Sequence, residues 1–148
     1  MRVRVLLVDD HDDARTTLAQ RLRRDRRLEL IGDAPGLEEV ADLLPGACPD
    51  IVLLDIHGQA GRGMDACRRL RQLTDAPVVV FTSFMTPELW TAAQAAGAAD
   101  YLLKHIDTDR LSREILRLAR RHRRTPRNSK LGRTTTGTVC EENRHGVA

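Results

Sequence analysis

Aromatic side chains are scarce in this sequence: two Phe, one Tyr and one Trp, 3% of its 148 residues. A chain so equipped has little with which to stack on nucleic-acid bases, and its core must be largely aliphatic. Cysteine is scarce too. Cys48, Cys67 and Cys140 show no metal-ligand spacing and no obvious pairing, which argues against a secreted disulfide scaffold and suggests a reducing compartment. Long hydrophobic runs are missing as well: the first apolar stretch, Val3 to Val8, contains Arg4 and stops at Asp9, too short for a signal-peptide core or a membrane span. A cytoplasmic location without membrane attachment is expected. Neither sign of charge dominates, with 24 basic against 21 acidic side chains and a net charge of +3, so overall charge says little about partners.

What the sequence does contain is a set of short aliphatic runs, each halted by a residue that can do chemistry. VRVLLVDD reaches Asp9 and Asp10, IVLLD reaches Asp55, VVVFT reaches Thr82, and YLLK reaches Lys104. Such runs, separated by segments of helical periodicity, predict a buried parallel sheet of the α/β class. Strands are expected at Val3–Val8, Leu28–Ile31 (closed by Gly32), Ile51–Leu54, Val78–Phe81 and Asp100–Leu103. Between them, helices should bury Ala14, Leu18 and Leu22; Leu37, Val40, Ala41 and Leu44; Ala66, Leu70 and Leu73; and finally Leu111, Ile115 and Leu118. Thr86 followed by Pro87 predicts a capped helix start, and Gly97 its stop. Five alternations imply right-handed crossovers and a doubly wound sheet in one domain spanning about residues 1–120. Residues 121–148 are basic and poor in apolar side chains, and they read as a flexible tail with no effector domain after the sheet.

In a parallel sheet ligands sit beyond the carboxyl ends of the strands, so Asp9, Asp10, Asp55, Thr82 and Lys104 are expected to share one cleft. Gathered carboxylates repel one another unless a cation neutralises them, and a hard ion such as Mg2+ suits an all-oxygen set. Asp55, closing the central strand, is the natural nucleophile for a phosphoryl group. Lys104 can pair with it before reaction and with a phosphoryl oxygen afterwards, while Thr82 can donate a hydrogen bond to the same group. Ser83 is small enough to leave the approach open.

These residues resemble a known family. VDDH at Val8–His11, LLD at Leu53–Asp55, FTS at Phe81–Ser83 and YLLK at Tyr101–Lys104 look like the receiver domain of two-component response regulators, over Arg2 to about Arg120. His11 with Arg15, and the YLLK strand, are similar to receivers attached to a LuxR-type helix-turn-helix domain. The resemblance implies a flavodoxin-like sheet of order 2-1-3-4-5, with Mg2+ held by Asp9 or Asp10, Asp55 and the backbone carbonyl of His57. It also implies phosphoryl transfer to Asp55 from a histidine kinase or phosphotransfer protein, so that the protein is a signalling phosphoacceptor and not an independent enzyme. Thr82 and Tyr101 would be the switch, remodelling a face of the fourth helix, fifth strand and fifth helix where family members dimerise or meet partners.

Three features depart from the family pattern. Gly58 and Gln59 stand where Met and Pro are usual, although Gly63 keeps the later glycine; His105 stands where a proline normally follows the lysine; and no effector domain follows. His57 and Phe84 occupy the two positions that, by the same resemblance, tune in the family how quickly water removes the phosphoryl group. A degenerate receiver acting as a phosphorylation-independent dimerisation or ligand-binding module is the alternative. A third reading makes the protein a nucleic-acid binder through Arg117, Arg120, Arg121, Arg123, Arg124, Arg127, Lys130 and Arg133, with DNA contact expected only through the basic tail or a partner. A haloacid-type phosphatase would need a second Asp two residues after the nucleophile, where this chain has His57.

Overall fold

The computed structural model describes residues 1–57 and 62–123. Ten elements alternate along the chain: β1 Val3–Val8, α1 Asp12–Arg23, β2 Leu28–Ala34, α2 Leu37–Leu43, β3 Ile51–Leu54, α3 Gly63–Leu73, β4 Val78–Thr82, α4 Pro87–Ala95, β5 Asp100–Leu103 and α5 Thr108–Arg123. The strands form one parallel sheet in the order β2-β1-β3-β4-β5, the flavodoxin-like arrangement. The loop residues 58–61, with Gly58 and Gln59, and the basic segment from 124 onward lie outside the described residues.

The aliphatic runs are continuous because both faces of the sheet are covered. Alternate residues point to opposite sides. Val5 and Leu7 of β1 join Leu53 and Val79 in a core closed by Leu18 and Leu22 of α1 and Leu111, Ile115 and Leu118 of α5. Leu6 and Val8 join Val52, Leu54 and Val80 in a second core under Val40, Ala66, Leu70 and Ala93 of the other three helices. Among the described residues, Ser112 and Thr82 are the uncharged polar side chains buried within this framework.

The inner faces of the helices differ from expectation at single positions. Ala19, not Ala14, is buried on α1; Ala41 of α2 is exposed; and Leu73, at the end of α3, is 46% exposed while Cys67 packs inward. Each is a small residue or a helix end, where the 3.6-residue period constrains orientation least. β2 runs on through Gly32 to Ala34, because pairing with β1 continues past a one-residue slip between Val5 and Leu6. β4 likewise reaches Thr82. Thr86 caps α4 as expected, its hydroxyl accepting from Leu89 N at 3.1 Å, and Gly97 follows with φ +98°, a conformation that glycine adopts without strain.

The cysteines do not all behave as expected. Cys67 is a buried free thiol whose pKa is pushed up by burial. Cys48 is disulfide-bonded, which corrects the reading of the cysteines as unpaired and removes that support for a reducing compartment.

Candidate functional site

Three site residues stand one position beyond a strand, and each is fixed there by a backbone hydrogen bond to the neighbouring strand's end. Asp9 N donates to Ala34 O at 3.0 Å, Asp55 N to Val8 O at 2.9 Å, and Lys104 N to Thr82 O at 2.8 Å. The sheet's ladder therefore sets where these side chains begin. β1 and β3 are adjacent although β2 separates them in sequence, so Asp9 and Asp55 flank the point at which the chain changes direction across the sheet. Topological switch points of this kind leave a crevice above the strand ends.

Asp9 and Asp55 are both buried, with side chains 2% and 3% exposed, and Lys104 lies between them. Its ammonium is 2.8 Å from Asp55 Oδ2 and 3.3 Å from Asp9 Oδ2, and 5.8 Å from the centre of the Phe81 ring. Burial opposes its charge, but the hydrogen bond and charge of Asp55, aided by Asp9, outweigh that cost and raise the lysine's pKa above its ordinary value. The other oxygens of the two acids are held by the backbone: Asp9 Oδ1 accepts from His11 N, and Asp55 Oδ1 from His57 N, both at 2.9 Å. Asp10 is the more exposed acid, its Oδ1 3.1 Å from His11 Nδ1.

The cleft above has a volume of about 750 Å3, and its walls include His11, Ala14, Asp55, His57, Ser83 and Lys104. Thr82 is fully buried beside it, and its hydroxyl donates to Phe84 O at 3.1 Å. To reach a group on Asp55 it would have to leave that carbonyl. Tyr101 is half-buried, its ring 5.1 Å from that of Trp90 and tilted by 58°. His57 and Phe84 meet over the rim with ring centres 4.4 Å apart.

Gly63 opens α3 under this site. A Cβ there would run into the backbone of Ile56, the residue after Asp55, so the close approach of α3 to the end of β3 requires glycine.

Two arginines brace the site, and only Arg21 was not singled out from sequence. Arg21 of α1 donates to Ile106 O at 2.7 Å and to Thr108 Oγ1 at 3.0 Å, tying down the loop after Lys104 where proline is replaced by His105. Arg15 donates to the carbonyl of Asp9 at 2.8 Å and to Asp12 and Asp33. Arg15 carried a spacing signal with His11; Arg21 carried none, since its partners lie more than eighty residues away.

The donor set fits a divalent cation. Asp9, His11 and Asp55 each offer one ligand atom, all within 4.8 Å of one another, and the two buried carboxylates share a single lysine. Carboxylate oxygens are among the ligands that Mg2+ takes.

Comparisons with known proteins bear on the family and the fold. A family described as the response regulator receiver domain matches residues 5–116. The chain is 34% identical over 114 residues to the DNA-binding transcriptional activator DevR/DosR of Mycobacterium tuberculosis, covering 76% of this chain and 52% of that protein. It is 36% identical over 103 residues to the transcriptional regulatory protein LiaR of Bacillus subtilis, covering 69% and 49%. The chain thus spans about half the length of these curated relatives. Among solved structures, a LuxR-family two-component response regulator from an Aurantimonas species superposes with a TM-score of 0.71 at 27% identity, over 81% of this chain and 86% of that one. A CheY-like receiver domain protein from Methanospirillum hungatei, at 19% identity and a TM-score of 0.70, covers 83% of this chain and 98% of its own, and shares the fold.

Proposed function

Since this chain belongs to the response regulator receiver family, we propose that it accepts a phosphoryl group on Asp55 from a histidine kinase or phosphotransfer protein and signals by changing a protein-binding face. The observation that carries this reading is the convergence of Lys104 on Asp55 and Asp9 at the ends of three separate strands. A carboxylate oxygen of Asp55 attacks phosphorus, the bond from phosphorus to the donor's imidazole nitrogen breaks, and an acyl phosphate forms. Lys104 is placed to transfer its hydrogen bond from the carboxylate to a phosphoryl oxygen. Mg2+, held by Asp9 or Asp10, Asp55 and the His57 carbonyl, would supply charge neutralisation to the transferring group.

Output follows from Thr82. Its hydroxyl exchanges the Phe84 carbonyl for the phosphoryl group, which vacates space beside β4 and draws Tyr101 inward from its contact with Trp90. Leu103, 41% exposed on β5, lies on the face of α4, β5 and α5 assigned to homodimer or partner contact. Residues 1–120 are the receiver, and any DNA contact would run through the basic segment 121–148 or through a partner. The protein is a phosphoacceptor that assists its own phosphorylation and dephosphorylation. We place it in the cytoplasm with its kinase; the disulfide at Cys48 is the observation that weighs against this. Among the described residues no helix is long and apolar enough to cross a membrane.

The test is intact-mass measurement after exposure to acetyl phosphate. A phosphoryl adduct is expected on the wild type with Mg2+, and none without the metal or in Asp55→Asn. An equal adduct in the variant would move the chemistry elsewhere.

A further inference from the structure

We propose that Arg21 is the positioning residue of Lys104: its guanidinium clamps the turn that follows β5, and through that turn it sets where the ammonium stands against Asp55. The inference deepens the function proposed above and rests on it. Its basis is how little else holds the turn. β5 is an edge strand, and Leu103 and His105, on either side of the lysine, are exposed. The backbone of Lys104 is tied to the sheet through Thr82 O, and the turn closes from Ile106 N to Leu103 O at 3.3 Å, long for such a bond. Arg21 makes shorter, charge-assisted bonds. Its Nη2 donates to Ile106 O at 2.7 Å and its Nε to Thr108 Oγ1 at 3.0 Å, so one rigid fork joins the last residue of the turn to the first of α5.

Two further features mark the role as one of geometry. Among the described residues Arg21 forms no ion pair with a carboxylate; its donors go to a carbonyl and a hydroxyl. Its root is fixed, since Leu18 and Leu22 on the same helix are buried in the core against the sheet. α1 therefore supplies the frame that the edge strand lacks. Arg21 and Lys104 also line, with Thr17, Phe81 and Asp9, a groove of about 300 Å3 between α1 and the end of β5. Without the clamp, the lysine has that space to move into. A displacement of about 1 Å in a group that must meet a transferring phosphoryl oxygen can cost on the order of a hundredfold in rate.

The test is a double-mutant cycle on the rate of adduct formation from acetyl phosphate at saturating Mg2+, followed by intact mass on the full-length chain. Arg21→Met keeps the apolar stem and should slow the reaction at least about tenfold, with Mg2+ affinity changed by less than about twofold. Thr108→Val removes one of the two acceptors at nearly constant shape and should slow it by a smaller factor, about threefold. In the Lys104→Met background, measured against that variant's residual rate, either substitution should matter by less than about twofold, because a clamp with nothing to position is silent. A wild-type rate in Arg21→Met, a parallel loss of Mg2+ affinity, or an equal slowing in the Lys104→Met background would each overturn the inference and leave the receiver reading intact. Equal slowing would mean that Arg21 touches the donor or serves the fold alone. If circular dichroism shows Arg21→Met to be unfolded, Thr108→Val with and without Lys104→Met decides by the same criteria. Absence of an adduct on the wild type, or one undiminished in Asp55→Asn, would overturn the receiver reading and this inference together.

Discussion

Lys104 Nζ lies 2.8 Å from Asp55 Oδ2, joining the end of β5 to the end of β3 across the intervening β4. One ammonium thus serves two buried carboxylates, Asp55 and Asp9. Lys104→Met leaves both without their shared cation and should cost about 2 kcal/mol, less than for a fully buried pair because the lysine is partly exposed. Mg2+ should then raise the unfolding midpoint of the variant more than that of the wild type, since the ion replaces the missing charge. Urea unfolding with and without Mg2+ measures both. The lysine's raised pKa means that its contribution is complete below its ordinary value of 10.5 and is lost only as pH climbs through the higher folded value.

Thr82→Val keeps the size of a fully buried side chain and removes the hydroxyl that donates to Phe84 O. The expected stability loss is about 1 kcal/mol. Phosphorylation of Asp55 should persist, but the switch should not respond. Trp90 is the chain's single tryptophan and touches Tyr101, so its fluorescence reports the rotation directly. A change on phosphorylation is expected in the wild type and a flattened one in Thr82→Val, at equal adduct by mass.

His57 and Phe84 form a ring pair over the rim of the cleft, although Phe84 is 56% exposed. Phe84→Ala removes an apolar cover and opens the side from which water reaches the acyl phosphate. The adduct should decay several-fold faster, measured as loss of intact-mass signal after acetyl phosphate is removed.

Asp25 gives a prediction about pH. Hydrogen bonds from Arg27 hold its pKa down to about 2, against burial, with help from Ser112. A carboxylate with a depressed folded pKa stabilises above its unperturbed value of 3.8 and loses that stabilisation as pH falls through about 2. Wild type should therefore exceed Asp25→Asn in urea midpoint by a constant margin at neutral pH, and the margin should close over that acidic window.

The strands and the acids at their ends were legible because both sheet faces are buried, which leaves Val5–Val8 and Ile51–Leu54 without a polar break until Asp9 and Asp55. The lysine was legible because it ends the short run Tyr101–Leu103, although β5 is an edge strand with only Leu102 buried. Alanine positions were not: Ala14 and Ala19 fit the helical period almost equally, and only packing against β1 and α5 decides between them. Gly32 looked like a strand end, but tertiary pairing with Leu6 carried β2 past it. Arg21 and the turn of His11 toward three acids depend on contacts made only after folding, and no local spacing encodes them.

The central claim is that Asp55, of the three clustered acids, carries the phosphoryl group. Borohydride reduction of the chain after acetyl phosphate and Mg2+ converts a phosphorylated aspartate to homoserine, and peptide mapping then locates it. Homoserine at position 55 alone is the predicted result; homoserine at position 9 or 10, or an unmodified Asp55 in every peptide, would contradict the account.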